Sequence, residues 1–365
     1  MIKYSQQELC LIWLDSFIGL DYKHKKKLYE YINDKTDIKA LLDAGREYLI
    51  KELGDKIYNT VLSSANKIYL EYLINGLNKR NITAVTLVSE KYPKLLKETD
   101  LPPLILYVKG NIDLLNREIF AIVGSRKSLP FQKNVVKSFT EDLCASGFTL
   151  VTGIAQGIDE TVLQTAIKCG GKAISVLASG FDNVYPKNHQ TLVDKLVECG
   201  LVISEYPPVT VAKPYHFPIR NRIIAGLSVG VLVASADLKS GTMYTAEYAN
   251  DYGRHLFSIP HSVGVQSGKG CNDLIKRGAI LTDCVQDILD FYGKSVVKKR
   301  VELTDEEKKI TALLQNGELH IDKICKLLNM AIYEILSTLA NLEIKGVVVK
   351  NGLNIYGLKR KDLED

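Results

Sequence analysis

Between residues 118 and 259 the chain alternates short runs that are apolar at nearly every position with longer stretches whose apolar residues recur every three or four. Glu118-Ile119-Phe120-Ala121-Ile122-Val123 has the length and composition of a strand buried on both faces. Gly124-Ser125-Arg126 follows it, then a helical pattern from about Leu129 to Ser146. Thr149-Leu150-Val151, Ala173-Ile174-Ser175-Val176-Leu177, Leu201-Val202-Ile203-Ser204, Val229-Gly230-Val231-Leu232-Val233 and His255-Leu256-Phe257-Ser258-Ile259 repeat the plan, with later helices starting near Ile219 and Thr242. Such runs, spaced by helices, predict an α/β domain with a doubly wound, mostly parallel sheet.

The ends of the chain carry a different pattern. Residues 1–75 read as a small helical domain: a helix begins at Leu9-Cys10-Leu11-Ile12-Trp13-Leu14, Phe17-Ile18-Gly19-Leu20 turns, Lys25 to Ile32 is helical, and amphipathic segments cover Ile38–Leu53 and Ile57–Ile74. Residues 76–292 form the sheet domain. A linker spans residues 293–302, running through Gly293-Lys294-Ser295-Val296-Val297-Lys298-Lys299-Arg300. In residues 303–365, helical patterns at Thr304–Leu314, Ile321–Leu328 and Ile332–Leu342 precede two short strands turning about Asn351-Gly352, the order of a winged helix.

Ligands of doubly wound sheets sit beyond the carboxyl ends of the strands, where glycines admit a close backbone and helix N-termini offer unpaired N–H groups. Four loops at that end carry glycine, hydroxyl and basic side chains: Gly124-Ser125-Arg126, then Gly153 and Gly157 around Gln156, then Gly180 with Tyr185-Pro186-Lys187-Asn188, then Lys239-Ser240-Gly241-Thr242. Phe217-Pro218-Ile219-Arg220-Asn221-Arg222 adds an aromatic and two arginines around an amide. A ring can take a base on its face, and arginines can grip phosphates, so the cluster suits single-stranded nucleic acid. The same residues also suit a core aromatic with internally paired arginines. No Gly-x-Gly-x-x-Gly follows the first strand and no Walker-type Gly-x-x-x-x-Gly-Lys-Ser/Thr occurs, so neither a dinucleotide nor a nucleoside triphosphate is indicated.

Charge places the polyanion site in the middle of the chain. Residues 76–300 hold 27 Lys and Arg against 20 Asp and Glu, whereas residues 1–75 balance at 11 each and residues 301–365 hold 9 against 11. The third helical pattern of the winged helix offers Tyr333, Glu334, Ser337, Thr338, Asn341 and Glu343 and no Lys or Arg, which favours a protein-contacting or regulatory role over groove readout. Lys23, Lys25, Lys26 and Lys27 read as a solvated helix face. Cys10, Cys144, Cys169, Cys199, Cys271, Cys284 and Cys325 are scattered, odd in number and never paired as Cys-x-x-Cys, so neither a disulfide framework nor a zinc site is expected. His189 and His216, beside the candidate loops, read as hydrogen-bonded structural residues. No apolar run approaches the roughly 20 residues that span a bilayer, and the N-terminus lacks a signal-peptide layout, so a cytoplasmic location is expected.

Taken in order, Ile122-Val123-Gly124-Ser125-Arg126, Thr152-Gly153-Ile154-Ala155-Gln156-Gly157-Ile158-Asp159, Tyr185-Pro186-Lys187-Asn188, Ser204-Glu205-Tyr206-Pro207, Phe217 to Ile224, Lys239-Ser240-Gly241-Thr242 and Gly270-Cys271-Asn272-Asp273-Leu274-Ile275 resemble the DNA-processing protein DprA (Smf) family over about residues 105–292. The resemblance implies an extended Rossmann-like domain that binds single-stranded DNA, homodimerises, and loads the RecA recombinase during transformation and homologous recombination. It implies a non-enzymatic protein without cofactor or metal. The N-terminal region is similar to the SAM or helix-hairpin-helix domain of many members, with Asp21 where a second hairpin glycine would stand. On this footing the DNA contacts are expected at Gly124, Ser125, Arg126, Gly153, Gln156, Gly157, Lys187, Phe217, Arg220, Asn221, Arg222, Lys239, Ser240, Gly241 and Thr242, and the dimer contacts at Leu274, Ile275 and Ile280.

Three positions depart from the family pattern: Gln156 stands for an arginine, Ser235 for a glutamate, and His261 for a glycine. Asp159 is expected to orient Arg126 or cap a helix. The competing reading is a Rossmann-like nucleotide enzyme such as a phosphoribohydrolase, whose glycine-rich motif Ser240-Gly241-Thr242 superficially matches. Its catalytic glutamate would fall at Thr245, and Glu247 comes two residues later, about 200° further around a helix.

Overall fold

The runs that are apolar at every position become the centre of a single sheet. In the computed structural model, which describes residues 3–17, 20–33, 36–295 and 303–358, the chain divides into two units, residues 1–297 and residues 298–365. Among the described residues of the first unit, nine strands are ordered β1-β2-β6-β5-β4-β3-β7-β8-β9. They are β1 (Thr83–Thr86), β2 (Ile105–Gly110), β3 (Ile119–Gly124), β4 (Thr149–Thr152), β5 (Lys172–Leu177), β6 (Leu201–Ser204), β7 (Gly230–Ser235), β8 (His255–Ser258) and β9 (Ile280–Leu281). Strands β3 to β9 pair in parallel, while β2 joins β6 and β1 joins β2 antiparallel.

Helices cover both faces, as the two-sided burial of the strands requires. Along β3, Phe120 and Ile122 point to one core with Val136, Phe139 and Leu143 of α8 (Pro130–Ala145) and Ile288 and Leu289 of α14 (Gln286–Phe291). Ala121 and Val123 point to the other, with Ile223 and Ile224 of α11 (His216–Leu227) and Met243 and Ala246 of α12 (Gly241–Asp251). The remaining elements of this domain are α7 (Lys94–Lys97), α9 (Ile158–Lys168), α10 (Gln190–Cys199) and α13 (Lys269–Lys276). The chain leaves β3 toward β4 on one side and returns from β6 to β7 on the other, so β3 and β7 meet at the switch point where such sheets bind ligands.

The N-terminal helices are α1 (Gln6–Asp15), α2 (Tyr22–Tyr29), α3 (Ile38–Ala44), α4 (Arg46–Leu53), α5 (Asp55–Ser63) and α6 (Lys67–Lys79). The two long segments expected at 38–53 and 57–74 are each broken. Gly45 ends α3 where an added Cβ would sit 2.6 Å from Leu28 Cδ2, and Asn66 caps α6 by accepting from the Tyr69 N–H at 2.9 Å. Trp13 and Leu14 enter a core with Leu28, Leu41, Leu42 and Leu49, while Leu11 and Ile12 of the same helix join the core of the sheet. A boundary at 75/76 therefore falls inside α6, whose Leu77 is part of that sheet core. The hairpin positions Ile18 and Gly19 lie outside the described residues.

The second unit holds α15 (Asp305–Leu314), β10 (Leu319–His320), α16 (Ile321–Leu328), α17 (Ile332–Ile344), β11 (Val348–Gly352) and β12 (Ile355–Leu358) around Ile310, Ile324, Ile335, Leu339 and Tyr356, a winged helix. The wing turns at Leu353-Asn354 rather than Asn351-Gly352. Gly352 pairs with Ile355, and Asn354 takes φ 56°, a left-handed conformation that asparagine tolerates. Of the expected linker, residues 296–302 lie outside the described residues. Among the described residues, no helix is long and apolar enough to cross a membrane.

Candidate nucleic-acid interface

A cavity of about 720 Å³ opens at the carboxyl end of β3. Its walls are Gly124 to Lys127 after β3, Ala155 and Asp159 after β4, Tyr185, the segment 212–214, one face of α11, and Ser240 to Thr242 at the start of α12. The rim is aromatic and cationic. The Arg126 guanidinium lies over the Phe217 ring at 4.9 Å, and Tyr185 meets the same ring edge-on at 5.7 Å. Arg126, Lys127, Tyr185 and Lys213 are exposed, and Phe217 is half-buried.

Beneath the rim the polar groups hold one another. Asp159 and Arg220 are both buried: the Asp159 carboxylate accepts from the Ala155 N–H at 3.2 Å, and Arg220 donates to Val176 O and, at 3.1 Å, to Asn221 Oδ1. Burial raises the Asp159 pKa and lowers that of Arg220, and each charge opposes the shift of the other. Asn221 Nδ2 in turn donates to Gly241 O at 3.0 Å, tying α11 to the first turn of α12. Gly153 makes room for the pair, since a Cβ there would collide with the Asp159 carboxylate and stand 2.6 Å from Arg220 Nη1. Gly157, at φ 97°, makes room for the first loop, because its Cβ would stand 2.7 Å from Arg126 O. Ser235 accepts from the Ser125 N–H at 3.0 Å and so holds that loop to β7.

At the start of α12, Ser240 makes no side-chain capping bond, and its buried Oγ has no hydrogen-bond partner among the described residues. Open space surrounds Gly241. Ser240, Gly241 and Thr242 line the cavity, so the first turn of this 11-residue helix, of the kind that can bind anions, lies at its wall.

Of the residues singled out from sequence, Gly124, Ser125, Arg126, Phe217, Arg220, Asn221, Ser240, Gly241 and Thr242 line this one cavity. Gly153, Gln156, Gly157, Lys187, Arg222 and Lys239 do not. Gln156, Lys187 and Lys239 are exposed beside it, and Gly153 and Gly157 are buried beneath it. Arg222 is a correction. It is 4% exposed, pairs with Glu205, donates to Leu101 O, and lies 5.8 Å from the Tyr22 ring on the opposite side of α11. Lys25 is another, because it is buried against Asp15 at 2.8 Å instead of lying on a solvated face. Leu274 is a third: it is 5% exposed and part of the core, while Ile275 and Ile280 are half-buried and Leu281 beside them is exposed. Thr338 of α17 is buried as well, and the large apolar residues exposed on that helix are Ile332, Tyr333, Leu336 and Ile344.

Tyr185 and Lys213 line the cavity as well, although neither is among the contacts expected from sequence. Both histidines take structural roles. His189 is buried with Nδ1 2.8 Å from Ile154 O, and His216 stacks on Tyr206 at 4.1 Å with Nδ1 3.1 Å from Ala178 O.

The model for DNA recombination-mediator protein A matches residues 83–293, and that for the DprA winged helix domain matches residues 298–351. The chain is 36% identical over 222 residues to the DNA processing protein DprA of Bacillus subtilis, a match that covers 60% of this chain and 75% of that protein. To the DNA processing protein DprA of Streptococcus pneumoniae it is 40% identical over 204 residues, covering 56% and 72%. The match to Protein Smf of Synechocystis, at 36% identity, covers 63% of this chain and 59% of that one. Among solved structures, DprA from Streptococcus pneumoniae superposes with a TM-score of 0.67 at 32% identity, covering 79% of this chain and 98% of that one. A Helicobacter pylori DprA structure, described for its single-stranded DNA binding mode, gives 0.53 at 28% identity, covering 58% and 95%.

Proposed function

We propose, from the premise that this chain belongs to the DNA recombination-mediator protein A family, that it binds single-stranded DNA in the cavity at the β3–β7 switch point and delivers it to a RecA-type recombinase. The observation that carries this reading is the Arg126 guanidinium over the Phe217 ring at the cavity rim. A base can stack on an aromatic face whatever its identity, and an exposed guanidinium beside it can meet the phosphate that follows. The uncapped start of α12 supplies neutral N–H donors for a second phosphate. Any base has a π-face, so little sequence preference is expected.

The nucleotide-enzyme reading needs a carboxylate where Thr245 lines the cavity. The carboxylate that does line it, Asp159, faces the Arg220 guanidinium. A homodimer would use the outer end of the sheet, where β9 is an edge strand and Ile275, Ile280 and Leu281 lie close in sequence.

Gel-shift titration of the full chain with random single strands and with duplex of equal length tests the reading. Tighter binding of the single strand is expected, and equal or tighter binding of duplex overturns it.

A further inference from the structure

A further aromatic, besides Phe217 and Tyr185, stands at the same end of the sheet. Phe131 lies in the first turn of α8, 50% exposed, with Leu129 exposed beside it. Its position is fixed through its neighbour: buried Gln132 accepts from the Leu129 N–H at 2.8 Å and donates to Ser267 Oγ at 3.0 Å, binding the first turn of α8 to the loop 261–268. From that loop His261 meets the Phe131 ring edge-on at 6.4 Å, and His261 is itself held by a 3.0 Å bond between Nε2 and Ala234 O. An exposed ring on a firmly tied turn loses little freedom when something stacks on it.

Cations lie along the loop and the chain segment that hold this ring. Lys127, four residues earlier in the chain, lines the cavity. Lys239 and Lys269 both act on Asp237, whose carboxylate accepts from Gln266 of the same loop at 2.8 Å. A rigid aromatic, an apolar neighbour and three lysines, continuous with the cavity through the segment 126–131, suit a polyanion with stackable rings better than an apolar protein surface.

Building on the reading of the cavity as a single-stranded DNA site, we infer that the strand leaves the cavity past Lys127 and stacks a further base on Phe131, with Lys239 and Lys269 beside its phosphates.

The test compares the full chain, Phe131→Ala and Phe131→Trp on two oligothymidylates. One is just long enough to fill the cavity, about three nucleotides, and the other about twelve. On the longer strand, Phe131→Ala is expected to bind about 5- to 150-fold more weakly than the parent, as for loss of one stacked base. On the shorter strand it should bind like the parent, and Phe131→Trp should restore the longer one. A melting curve like the parent's is expected, since half the ring is already in water. If the parent binds both strands and Phe131→Ala tracks it at both lengths, or weakens both equally, the inference is overturned while the cavity reading survives. If the parent binds neither strand, the cavity reading itself falls and this one with it.

Discussion

Two guanidinium groups next to α11 receive opposite treatment. At the cavity rim Arg126 is exposed, lies over the Phe217 ring, and has no ion-pair partner among the described residues. On the far side of the same helix Arg222 is enclosed by Glu205, the Leu101 carbonyl and the Tyr22 ring. Around it lies a buried set in which Lys25 meets Asp15 and the Tyr107 hydroxyl donates to Asp15 at 2.8 Å. Charges met from within the fold join the N-terminal helices to the sheet, whereas a charge left unmet is available to a ligand. One short stretch of sequence thus serves both ends: Phe217, Arg220, Asn221 and Ile224 face the cavity, and Arg222 faces the N-terminal domain.

The largest effect is expected from unpairing the buried arginine. Glu205→Ala leaves the Arg222 guanidinium without its carboxylate in a site that water barely reaches, and removing one partner of a buried pair costs about 3–5 kcal/mol. Burial pushes the Glu205 pKa up, and the Arg222 guanidinium is the strongest influence opposing that shift. Urea unfolding should show the loss as a lower midpoint. The folded fraction should keep the parent's salt dependence of DNA binding. A variant as stable as the parent but weaker on DNA would put Arg222 back into the binding surface.

Phe217→Ala acts on the other side of α11 and is the next largest effect. Loss of one base-stacking aromatic weakens single-strand binding by about 1–3 kcal/mol and leaves the slope of log affinity against log salt nearly unchanged, because stacking releases no counterion. Fluorescence-anisotropy titration at several salt concentrations measures both quantities. Unaltered affinity in a folded variant would make Phe217 a packing residue, with Arg126 resting on it for shape alone.

Much of this arrangement was legible in the sequence, and what was not has physical reasons. Strands β3 to β8 emerge within about two residues of their expected ends because burial on both faces leaves an unbroken apolar run. Strands β1 and β2 are less legible: the first has four residues, and both pair antiparallel at one end of the sheet, outside the helix-spaced repeat. The breaks at Gly45 and Ser64–Asn66 were hidden by periodicity that continues on both sides. The burial of Arg222 is hard to read from sequence because its partners come from residues 22, 101 and 205, which no local pattern relates. A signal was nonetheless present, since on a helix residue 222 is turned about 140° from residue 217 and cannot share its face. The same holds for Leu274 on α13, which faces the core while the neighbouring Ile275 does not, a difference that one apolar pair in sequence leaves open.

Arg126→Ala is a smaller perturbation. It removes at most one phosphate neutralisation, so the salt slope should fall by up to about 0.7 on a single strand. Stability should hardly move, because the side chain is exposed and its contact with Phe217 is of the kind worth about 0.5–1 kcal/mol at exposed sites. An unchanged slope would move the phosphate path elsewhere along the rim, with Lys127 and Lys213 the next residues to replace.

The smallest effect is a gain. Gln156 is exposed next to Ala155, which lines the cavity, so its side chain starts at the edge of the site without being part of it. Glutamine there can offer only a neutral hydrogen bond, whereas an arginine reaching over the rim would make a charge-assisted one about twice as strong and displace a counterion. Gln156→Arg should therefore tighten single-strand binding and steepen the salt slope by no more than about 0.7. Gly157 limits how far the loop can adjust, because its φ of 97° and the Ser125 and Arg126 carbonyls, which stand where a Cβ would go, fix the backbone immediately after residue 156. With the backbone held, the outcome depends on where the new side chain reaches. A salt slope identical to the parent's would mean that position 156 points away from the phosphates, and the DNA path would then run over the β3 and α12 loops without the loop after β4.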